Sequence, residues 1–387
     1  MILALAILSL AVWIYLVAFR GRFWRCDQRL DGDTPAPPAS WPDVVAVVPA
    51  RDEADVIERS LGSLLAQDYP GKFSVVLVDD SSSDGTGDAA RRLGATHANG
   101  ARLTVVQGSP LPKGWTGKIW TVATGITRAD KIDPKAPYLW LTDADISHAP
   151  GVLRALVARA EAGKLGLTSV MALLHCTSPW ERLLIPAFVY FFQKLYPFPR
   201  VNDRGDALAG AAGGCMLVRR AALRAIGGIE KIQSSLIDDC ALARELKRNG
   251  PIWLGFSRDV RSTRPYAGLA GIWNMVARSA YDQLGYSPLM LAGTVAGMLV
   301  VYLAPPFLIL AQPWHGNALA ASLGGAAWML MAFSYLPTLR LYRQPPMFSL
   351  LLPVAGVLYD LMTLDSALAY YRGRGAYWKG RAQAPRS

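Results

Sequence analysis

The stretch from Gln283 to Leu339 contains no Lys, Arg, Asp or Glu, and this constrains the fold more than any other feature of the chain. A helix needs about 20 apolar residues to cross the hydrocarbon core of a bilayer. The stretch has room for two such helices, near Leu289–Ala311 and Ala318–Pro337, joined by the loop QPWHGN. The whole chain, with 52% hydrophobic and 18% charged residues, is too apolar for an ordinary soluble enzyme and too charged for a pure membrane bundle. We therefore expect one globular domain joined to membrane segments.

The chain opens with another uncharged segment, MILALAILSLAVWIYLVAF, which is long enough to span a bilayer as a helix. Four arginines follow it, and no small-x-small cleavage site is evident, so we favour an uncleaved anchor over a cleaved signal peptide. These arginines are Arg20, Arg22, Arg25 and Arg29. Because cytoplasmic flanks carry an excess of positive charge, we expect a multi-pass protein of the inner (cytoplasmic) membrane whose globular domain faces the cytoplasm.

A last apolar stretch runs from Met347 to Tyr371 but contains Asp360 and Asp365. Charges inside a membrane span are costly unless they are paired or face a cavity. The tail that follows, YYRGRGAYWKGR, is strongly basic and would lie outside if this segment spanned, against the charge rule. A third C-terminal span and a re-entrant or interfacial segment both remain open.

The formal net charge of +11 calls for an anionic partner. No nucleic-acid reader motif stands out, so we expect no nucleic-acid partner, and anionic lipid headgroups explain the arginines beside the membrane better. The four cysteines show neither metal-ligand spacing nor a pairing pattern, which is typical of reduced thiols in a cytoplasmic domain.

Between residues 43 and 175, short β-branched runs alternate with amphipathic segments. Strands are predicted at DVVAVVPA, FSVVLVDD, RLTVVQG, YLWLTDAD and LGLTSVMALLH, and helices at about Asp55–Gln67, from the SSSDGTG loop through Arg92, and in HAPGVLRALVARAEAG. Such alternation is typical of an α/β protein with a mostly parallel sheet and helices on both faces. No G-x-G-x-x-G follows the first strand, which argues against a nicotinamide or flavin dinucleotide.

Acidic side chains follow two of the predicted strands, Asp79 and Asp80 after one and Asp143 and Asp145 after the other. Ligands of such sheets bind at the carboxyl ends of the strands. Asp80 could accept hydrogen bonds from a nucleoside, or it could simply cap the next helix. Asp143 and Asp145 repel each other unless a cation lies between them, and their oxygens suit Mg²⁺ or Mn²⁺ shared with a diphosphate. A solvated turn is the simpler interpretation of the D-x-D.

A third acidic pair, Asp238 and Asp239, precedes the predicted helix in IDDCALARELKRNG. One of them could be no more than the N-cap of that helix. Alternatively, Asp239 is a general base that takes the proton of an attacking hydroxyl, with a pKa lowered by the helix N-terminus.

Two glycine-containing segments complete the set of candidate motifs. Lys113 and Lys118 in LPKGWTGKIWT could neutralise phosphate oxygens or belong to an exposed loop. Gly213 and Gly214 in GAAGGCMLVRR could let the backbone approach a ligand or only form a tight turn.

Taken together and in order, VVAVVPARDEADVIERSLGSLLAQDYP, VDDSSSDGT, GWTGK, TDAD, AGGCMLVRR and IDDCALARELKRNG resemble the family 2 glycosyltransferases of the GT-A fold, a Rossmann-like α/β fold, over roughly Val44 to Gly250. With its apolar ends the chain is most similar to the hopene-associated glycosyltransferases. These bacterial membrane proteins are named for hopanoid biosynthesis and are related to ceramide glucosyltransferases.

The resemblance implies an inverting hexosyltransferase that uses Mg²⁺ or Mn²⁺ and moves a sugar from a UDP- or GDP-sugar to the hydroxyl of a membrane lipid, with a hopanoid among the candidate acceptors. The implied nucleotide-sugar contacts are Pro49, Arg51, Glu53, Asp79, Asp80, Lys118 and Asp143; the metal side is Asp145 with Asp143; the base is Asp239; and the acceptor or phosphate side is Gly213, Gly214, Asp238 and Arg278. The Q-x-x-R-W of processive members is reduced here to Arg278, with Met275 and Ser279 in place of Gln and Trp. This departure argues against polysaccharide synthesis.

We expect an anchor at 1–20, a basic and Pro-rich linker at 21–42, a cytoplasmic GT-A domain at 43–286, a membrane region at 287–372 and a basic tail at 373–387. Two alternatives stay open at this point. A nucleotidyltransferase also combines a Rossmann-like sheet with paired acids, and a non-catalytic membrane scaffold could keep the same fold.

Overall fold

The computed structural model describes residues 1–32 and 35–373 and the backbone of 377–378 and 381–382. These residues form two compact units. The helical unit comprises 1–26, 176–199 and 265–373, and the sheet unit comprises 27–175 and 200–264. Most of the predicted basic tail, 373–387, and two positions of the predicted linker lie outside the described residues.

Eight strands form one sheet, and a separate two-stranded pair lies near the C-terminus. The strands are β1 (Val44–Ala50), β2 (Phe73–Asp79), β3 (Leu103–Gln107), β4 (Tyr138–Thr142), β5 (Ile146–His148), β6 (Leu167–Leu173), β7 (Cys215–Arg219), β8 (Ile252–Ser262), β9 (Tyr377–Trp378) and β10 (Arg381–Ala382).

The helices divide between the two units. They are α1 (Ile2–Phe19), α2 (Ile57–Leu65), α3 (Thr86–Thr96), α4 (Gly117–Ile132), α5 (Val152–Gly163), α6 (Pro179–Leu195), α7 (Phe198–Asn202), α8 (Arg220–Ala225), α9 (Asp238–Asn249), α10 (Gly268–Ala277), α11 (Ala280–Gln283), α12 (Pro288–Met298), α13 (Ala304–Leu310), α14 (Gln312–His315), α15 (Ala318–Leu341) and α16 (Leu352–Tyr371). Short 3₁₀ turns occupy Phe23–Arg25, Gly100–Arg102, Ile229–Ile232 and Pro346–Leu351, and a π turn occupies Leu299–Leu303.

The sheet runs in the order β3-β2-β1-β4-β7-β6-β8-β5. The pairs β2–β3, β1–β2, β1–β4 and β6–β8 are parallel, whereas β4–β7, β6–β7 and β5–β8 are antiparallel. Every residue of β1 is buried, as expected for a β-branched run covered on both faces. The predicted α/β architecture, a mixed and mostly parallel sheet with helices packed on it, is confirmed.

Several local predictions differ from the structure in ways that matter for the site. Strand β4 ends at Thr142, so Asp143 and Asp145 lie in the turn before β5 and not on a strand. The segment LPKGWTGKIWT is not an exposed loop throughout, because α4 begins at Gly117 and places Lys118 in its first turn. Asp238 is the first residue of α9 and does not precede it.

The helical unit contains four helices that are long and apolar enough to cross a membrane. They are Ile2–Phe19, Pro288–Leu310, Ala318–Leu341 and Pro346–Tyr371. The segment with Asp360 and Asp365 is therefore a continuous helical run of spanning length. Helix α6 packs among these helices and buries Leu184, Ile185 and Tyr190, so it is a core helix of this unit and not a surface one.

Two consecutive prolines, Pro305 and Pro306, leave backbone carbonyls without their usual helical donors. The π turn gives the N–H of Ala304 to the carbonyl of Leu299, so the next carbonyls face prolines. Side chains of α1 supply the missing donors: Ser9 Oγ donates to the Val300 carbonyl at 3.0 Å. Trp13 Nε1 donates to the Val301 carbonyl at 2.7 Å. In an apolar surrounding an unpaired carbonyl is expensive, so these bonds join α1 to the proline-containing helix.

Replacing Trp13 with Phe removes the donor and keeps most of the ring that packs against Tyr302. We expect the free energy of unfolding in detergent to fall by about 1–3 kcal/mol, because the Val301 carbonyl is left unsatisfied. Equilibrium or thermal unfolding measures this. The matched variant is Trp314→Phe, whose side chain is 84% exposed; equal losses in the two variants would contradict the account.

Candidate active site

Each acid of the Asp143–Asp145 pair lies beside its own cation. Lys118 Nζ is 2.9 Å from Asp143 Oδ1. Arg264 Nε is 3.5 Å from Asp145 Oδ2. The backbone of Asp145 is held as well, because its carbonyl accepts from Thr263 N–H at 2.8 Å and from Thr263 Oγ1 at 2.9 Å. The positive charge that two neighbouring carboxylates require is thus supplied by the chain itself.

Lys118 also lies 3.3 Å from Asp238 Oδ2, so one ammonium joins the end of β4 to the start of α9. Burial alone would lower the pKa of Lys118, but Asp143 and Asp238 outweigh it and raise that pKa above its ordinary value. The ammonium is therefore permanently charged at any physiological pH.

Asp239 lies next to this ion pair and is held by backbone donors. Its Oδ2 accepts from Gly213 N–H at 2.8 Å and its Oδ1 from Cys240 N–H at 2.7 Å. Burial first, and then the charge of Asp238, raise the pKa of Asp239 to about 6 against the opposing effect of Lys118. The expectation that the helix N-terminus would lower this pKa is wrong, because desolvation and the neighbouring carboxylate outweigh the backbone donors.

Gly213 lies close to the charged ends of Lys118 and Asp239. A Cβ at this position would lie 3.3 Å from Lys118 Nζ and 3.4 Å from Asp239 Oδ2. The prediction that a glycine here lets the backbone approach a ligand stays a prediction. The next residue is Gly214, whose carbonyl accepts a hydrogen bond from Thr142 Oγ1 at 2.8 Å.

The end of β2 carries the first acidic pair. Asp80 is almost fully buried and lies 3.8 Å from Arg51 Nη1, which also donates to the Asp80 carbonyl. Asp79 is also buried, and its Oδ1 accepts from Ser82 N–H at 3.1 Å. The first turn of α3 is held by Asp84, whose Oδ1 accepts from Thr86 N–H at 3.0 Å.

Arg264 was not singled out as a site residue by the sequence. It follows the long strand β8, contacts the carboxylate of Glu53 and lies 3.7 Å from Asp55 Oδ2, in addition to Asp145. Nothing in the local pattern STRPY indicates that β8 ends beside the β4–β5 turn. The antiparallel pairing of β5 with β8 creates this proximity.

A common cleft in the sheet unit is lined by residues from six separate parts of the chain. Its polar lining includes Lys118, Asp143 and Asp238, and Pro49 and Gly213 also face it. The apolar lining consists of Ile119, Val122, Leu141, Met216, Ile229, Ile232 and Leu242. Arg278 is exposed at the end of α10 in the helical unit, and its acceptor-side role stays a prediction.

The family described as "Glycosyltransferase like family 2" matches residues 42–257, which is more than half of the chain. The chain belongs to this family. In the part of this glycosyltransferase that the structure describes, no group of three or more His, Cys, Asp or Glu side chains is placed to hold a metal ion alone.

Two individual proteins illustrate the relationship. The mannosyltransferase PcManGT from Pyrobaculum calidifontis, solved in complex with GDP-Man and Mn²⁺, has a TM-score of 0.59 and 21% identity, with 97% of this chain and 100% of that chain covered. The two proteins therefore share their fold. The glycosyltransferase AglE of Haloferax volcanii is 36% identical over 59 residues, 15% of this chain and 19% of AglE. The match thus spans about a fifth of that relative.

The turn that carries Asp143 and Asp145 is anchored by a buried histidine. His148 Nε2 and Thr142 Oγ1 are 3.0 Å apart, and Thr142 Oγ1 donates onward to the Gly214 carbonyl. The ring of His148 lies 4.6 Å from that of Trp140, and burial lowers the pKa of His148 to about 3. The folded glycosyltransferase therefore keeps this imidazole neutral in mildly acidic solution.

This histidine predicts a loss of stability in acid. Below the ordinary histidine pKa of about 6.5, His148 is protonated in the unfolded chain but stays neutral in the folded chain. The free energy of unfolding therefore falls by about 1.4 kcal/mol for each unit by which the pH is lowered. Unfolding midpoints of the wild type and of His148→Gln between pH 7 and pH 4 measure the effect. Gln places its amide nitrogen near the position of Nε2 and can donate to Thr142 Oγ1, but it does not titrate, so its curve should be flatter by that slope; parallel curves would contradict the assignment.

Proposed function

We propose that the protein is an inverting hexosyltransferase that moves a sugar from a UDP- or GDP-sugar to the hydroxyl of a membrane lipid. The observation that carries this proposal is the position of Asp239, held by Gly213 N–H at 2.8 Å beside the Lys118–Asp143–Asp238 ion pairs. This arrangement provides a base, a cation and a carboxylate pair together.

Asp239 is the proposed general base. An acceptor hydroxyl becomes acidic only as its oxygen bonds to the sugar carbon, so the proton moves late and a carboxylate suffices to accept it. The pKa of about 6 makes Asp239 a stronger base than an ordinary aspartate while leaving it mostly ionised at neutral pH. Its Oδ2 is fixed by Gly213 N–H, which orients the carboxylate.

Asp143 and Asp145 are the proposed metal side, with Lys118 on the donor side. Hard carboxylate oxygens suit Mg²⁺ or Mn²⁺, and such ions often complete their shell with substrate phosphates such as a diphosphate. When bound, the ion would neutralise negative charge on the departing diphosphate. The Mn²⁺ and GDP-Man bound to PcManGT support this choice of donor and metal.

The buried acids at the end of β2 are the proposed nucleoside contacts. Asp79 and Asp80 lie at the carboxyl end of a parallel strand, where ligands of such sheets bind. Arg51 holds the backbone of Asp80, and Pro49 lines the cleft. Glu53 is held by Arg264 and would complete this side of the donor site.

A lipid acceptor is the proposed use of the membrane segments. The four apolar helices support a multi-pass protein of the inner membrane, with the catalytic domain on the cytoplasmic side. A hydroxyl-bearing lipid such as a hopanoid would reach the site from the bilayer surface. The residues proposed to contact the acceptor or the phosphates remain Gly214, Asp238 and Arg278.

If Asp239 is the general base, its replacement should lower kcat, and the kcat of the wild type should depend on pH. Asp239→Asn should lower kcat by about 10²–10⁴-fold with little change in the KM for the donor, because it removes proton transfer and not donor binding. In the wild type kcat should fall about tenfold per pH unit below pH 6, as Asp239 becomes protonated. Release of nucleoside diphosphate from UDP- and GDP-sugars with Mn²⁺ and a lipid alcohol measures both.

The control for this experiment is Glu245→Gln, which removes a charge from the same helix and should retain full activity. Unchanged turnover in Asp239→Asn would refute the base, and release of pyrophosphate would indicate a nucleotidyltransferase.

The contact of Arg264 with Asp145 leads to a prediction about how tightly Mn²⁺ binds when no nucleotide sugar is present. A divalent ion competes with the guanidinium for Asp145, so Arg264→Met should bind Mn²⁺ about tenfold more tightly, or about 1.4 kcal/mol, when no nucleotide is present. Titration of the free Mn²⁺ electron paramagnetic resonance signal measures this. Arg264→Lys keeps the charge and should resemble the wild type, and Arg264→Met with Glu53→Gln avoids an unpaired buried carboxylate. Equal or weaker Mn²⁺ binding in both Met variants would show that the ion does not use Asp145.

A further inference from the structure

Two cations of the helical unit lie together without a carboxylate. Arg20 follows α1 directly, and its Nε donates to the Lys194 carbonyl at 3.2 Å and its Nη2 to the Leu195 carbonyl at 3.5 Å. Lys194 is the penultimate residue of α6. Within residues 1–32 and 35–373, neither side chain has an Asp or Glu within ion-pair distance.

The ammonium of Lys194 is partly buried among aromatic rings. Its Nζ donates to Tyr302 Oη at 2.9 Å and lies 4.7 Å from the centre of the Tyr302 ring and 5.4 Å from that of Phe191. Burial and then the charge of Arg20 lower the pKa of Lys194 to about 8. A half-buried like-charge pair is unfavourable unless an anion joins it.

The surroundings of the pair are amphiphilic. Phe19, beside Arg20, is 72% exposed, and Leu195, beside Lys194, is 46% exposed. Tyr15 stacks on Phe19 with ring centres 6.4 Å apart and is also exposed. An anion that binds the two cations and also covers these side chains must carry a hydrocarbon tail.

We propose that Arg20 and Lys194 form a binding site for the phosphate of an anionic membrane lipid, whose acyl chains lie along the exposed face of α1 at Tyr15 and Phe19. The site rests on the proposed membrane location of the helical unit and is independent of the glycosyl transfer. Arg20 binds the phosphate while its guanidinium also caps the last carbonyls of α6, and Lys194 supplies the second charge.

The test uses the full chain, purified in a neutral detergent and stripped of lipid. Thermal unfolding is followed with added phosphatidylglycerol, with phosphatidylcholine and with inorganic phosphate. A ligand that binds only the folded state raises the midpoint. Phosphatidylglycerol should raise it well above the value with phosphatidylcholine, and inorganic phosphate should have little effect.

Three variants assign the effect to the pair. Lys194→Met and Arg20→Gln should each lose most of the increment specific to phosphatidylglycerol, whereas Lys194→Arg should keep it. The matched control is Arg22→Gln, an exposed arginine two residues from Arg20, which should also keep it. If Lys194→Met does not fold, the loss in Arg20→Gln against Arg22→Gln decides the question.

Three outcomes would overturn the proposal. Equal midpoints with the two lipids would show that the pair selects no anionic headgroup. A full shift with inorganic phosphate would indicate a site for a soluble anion, and an increment retained in both Lys194→Met and Arg20→Gln would place the lipid elsewhere. Failure of the protein to float with liposomes of either lipid would instead refute the membrane location itself.

Discussion

The ammonium of Lys118 is the interaction on which the candidate site depends. It lies 2.9 Å from Asp143 and 3.3 Å from Asp238, and Asp239 is the next residue along α9. Without that charge, three carboxylates would share one partly buried cleft, and their repulsion would shift protons onto them. Because Lys118 lies in the first turn of α4, packing of this helix on β1 and β2 fixes the charge distribution of the cleft.

The same balance explains how a donor complex can enter. Lys118 and Arg264 already neutralise Asp143 and Asp145, the acids that the donor complex would use. Binding of that complex would therefore exchange these ion pairs for others, and each carboxylate would keep a positively charged partner. Arg264 also contacts the carboxylate of Glu53, so it would keep an anionic partner if Asp145 bound another cation. Asp239 differs from the other acids, since its oxygens are held by neutral backbone N–H groups while burial and the charge of Asp238 raise its pKa, so it can accept a proton near neutral pH.

The sequence predicted the sheet, and it indicated that acids lie near the ends of strands, because both follow from local patterns. The run VVAVVPA is a buried strand by composition alone, and acids at strand ends meet at one edge of a parallel sheet. The position of Arg264 could not be predicted, because it depends on the antiparallel pairing of β5 with β8, and neither could the pKa of Asp239, because it depends on burial and on Lys118 from a distant helix. Strand β8 pairs with β5 and β6, and no local pattern reveals the neighbours of its last residue.

The two units satisfy their buried polar groups by different means. The sheet unit uses ion pairs together with uncharged donors, whereas uncharged donors of the helical unit, such as Ser9 and Trp13, compensate for the missing N–H groups of Pro305 and Pro306. This difference follows from the medium, because a charge in hydrocarbon is far more expensive than a hydroxyl or an indole. A cation in such a unit therefore needs its own explanation, and the Arg20–Lys194 pair, beside exposed apolar side chains, is explained if the surrounding membrane supplies the counter-charge.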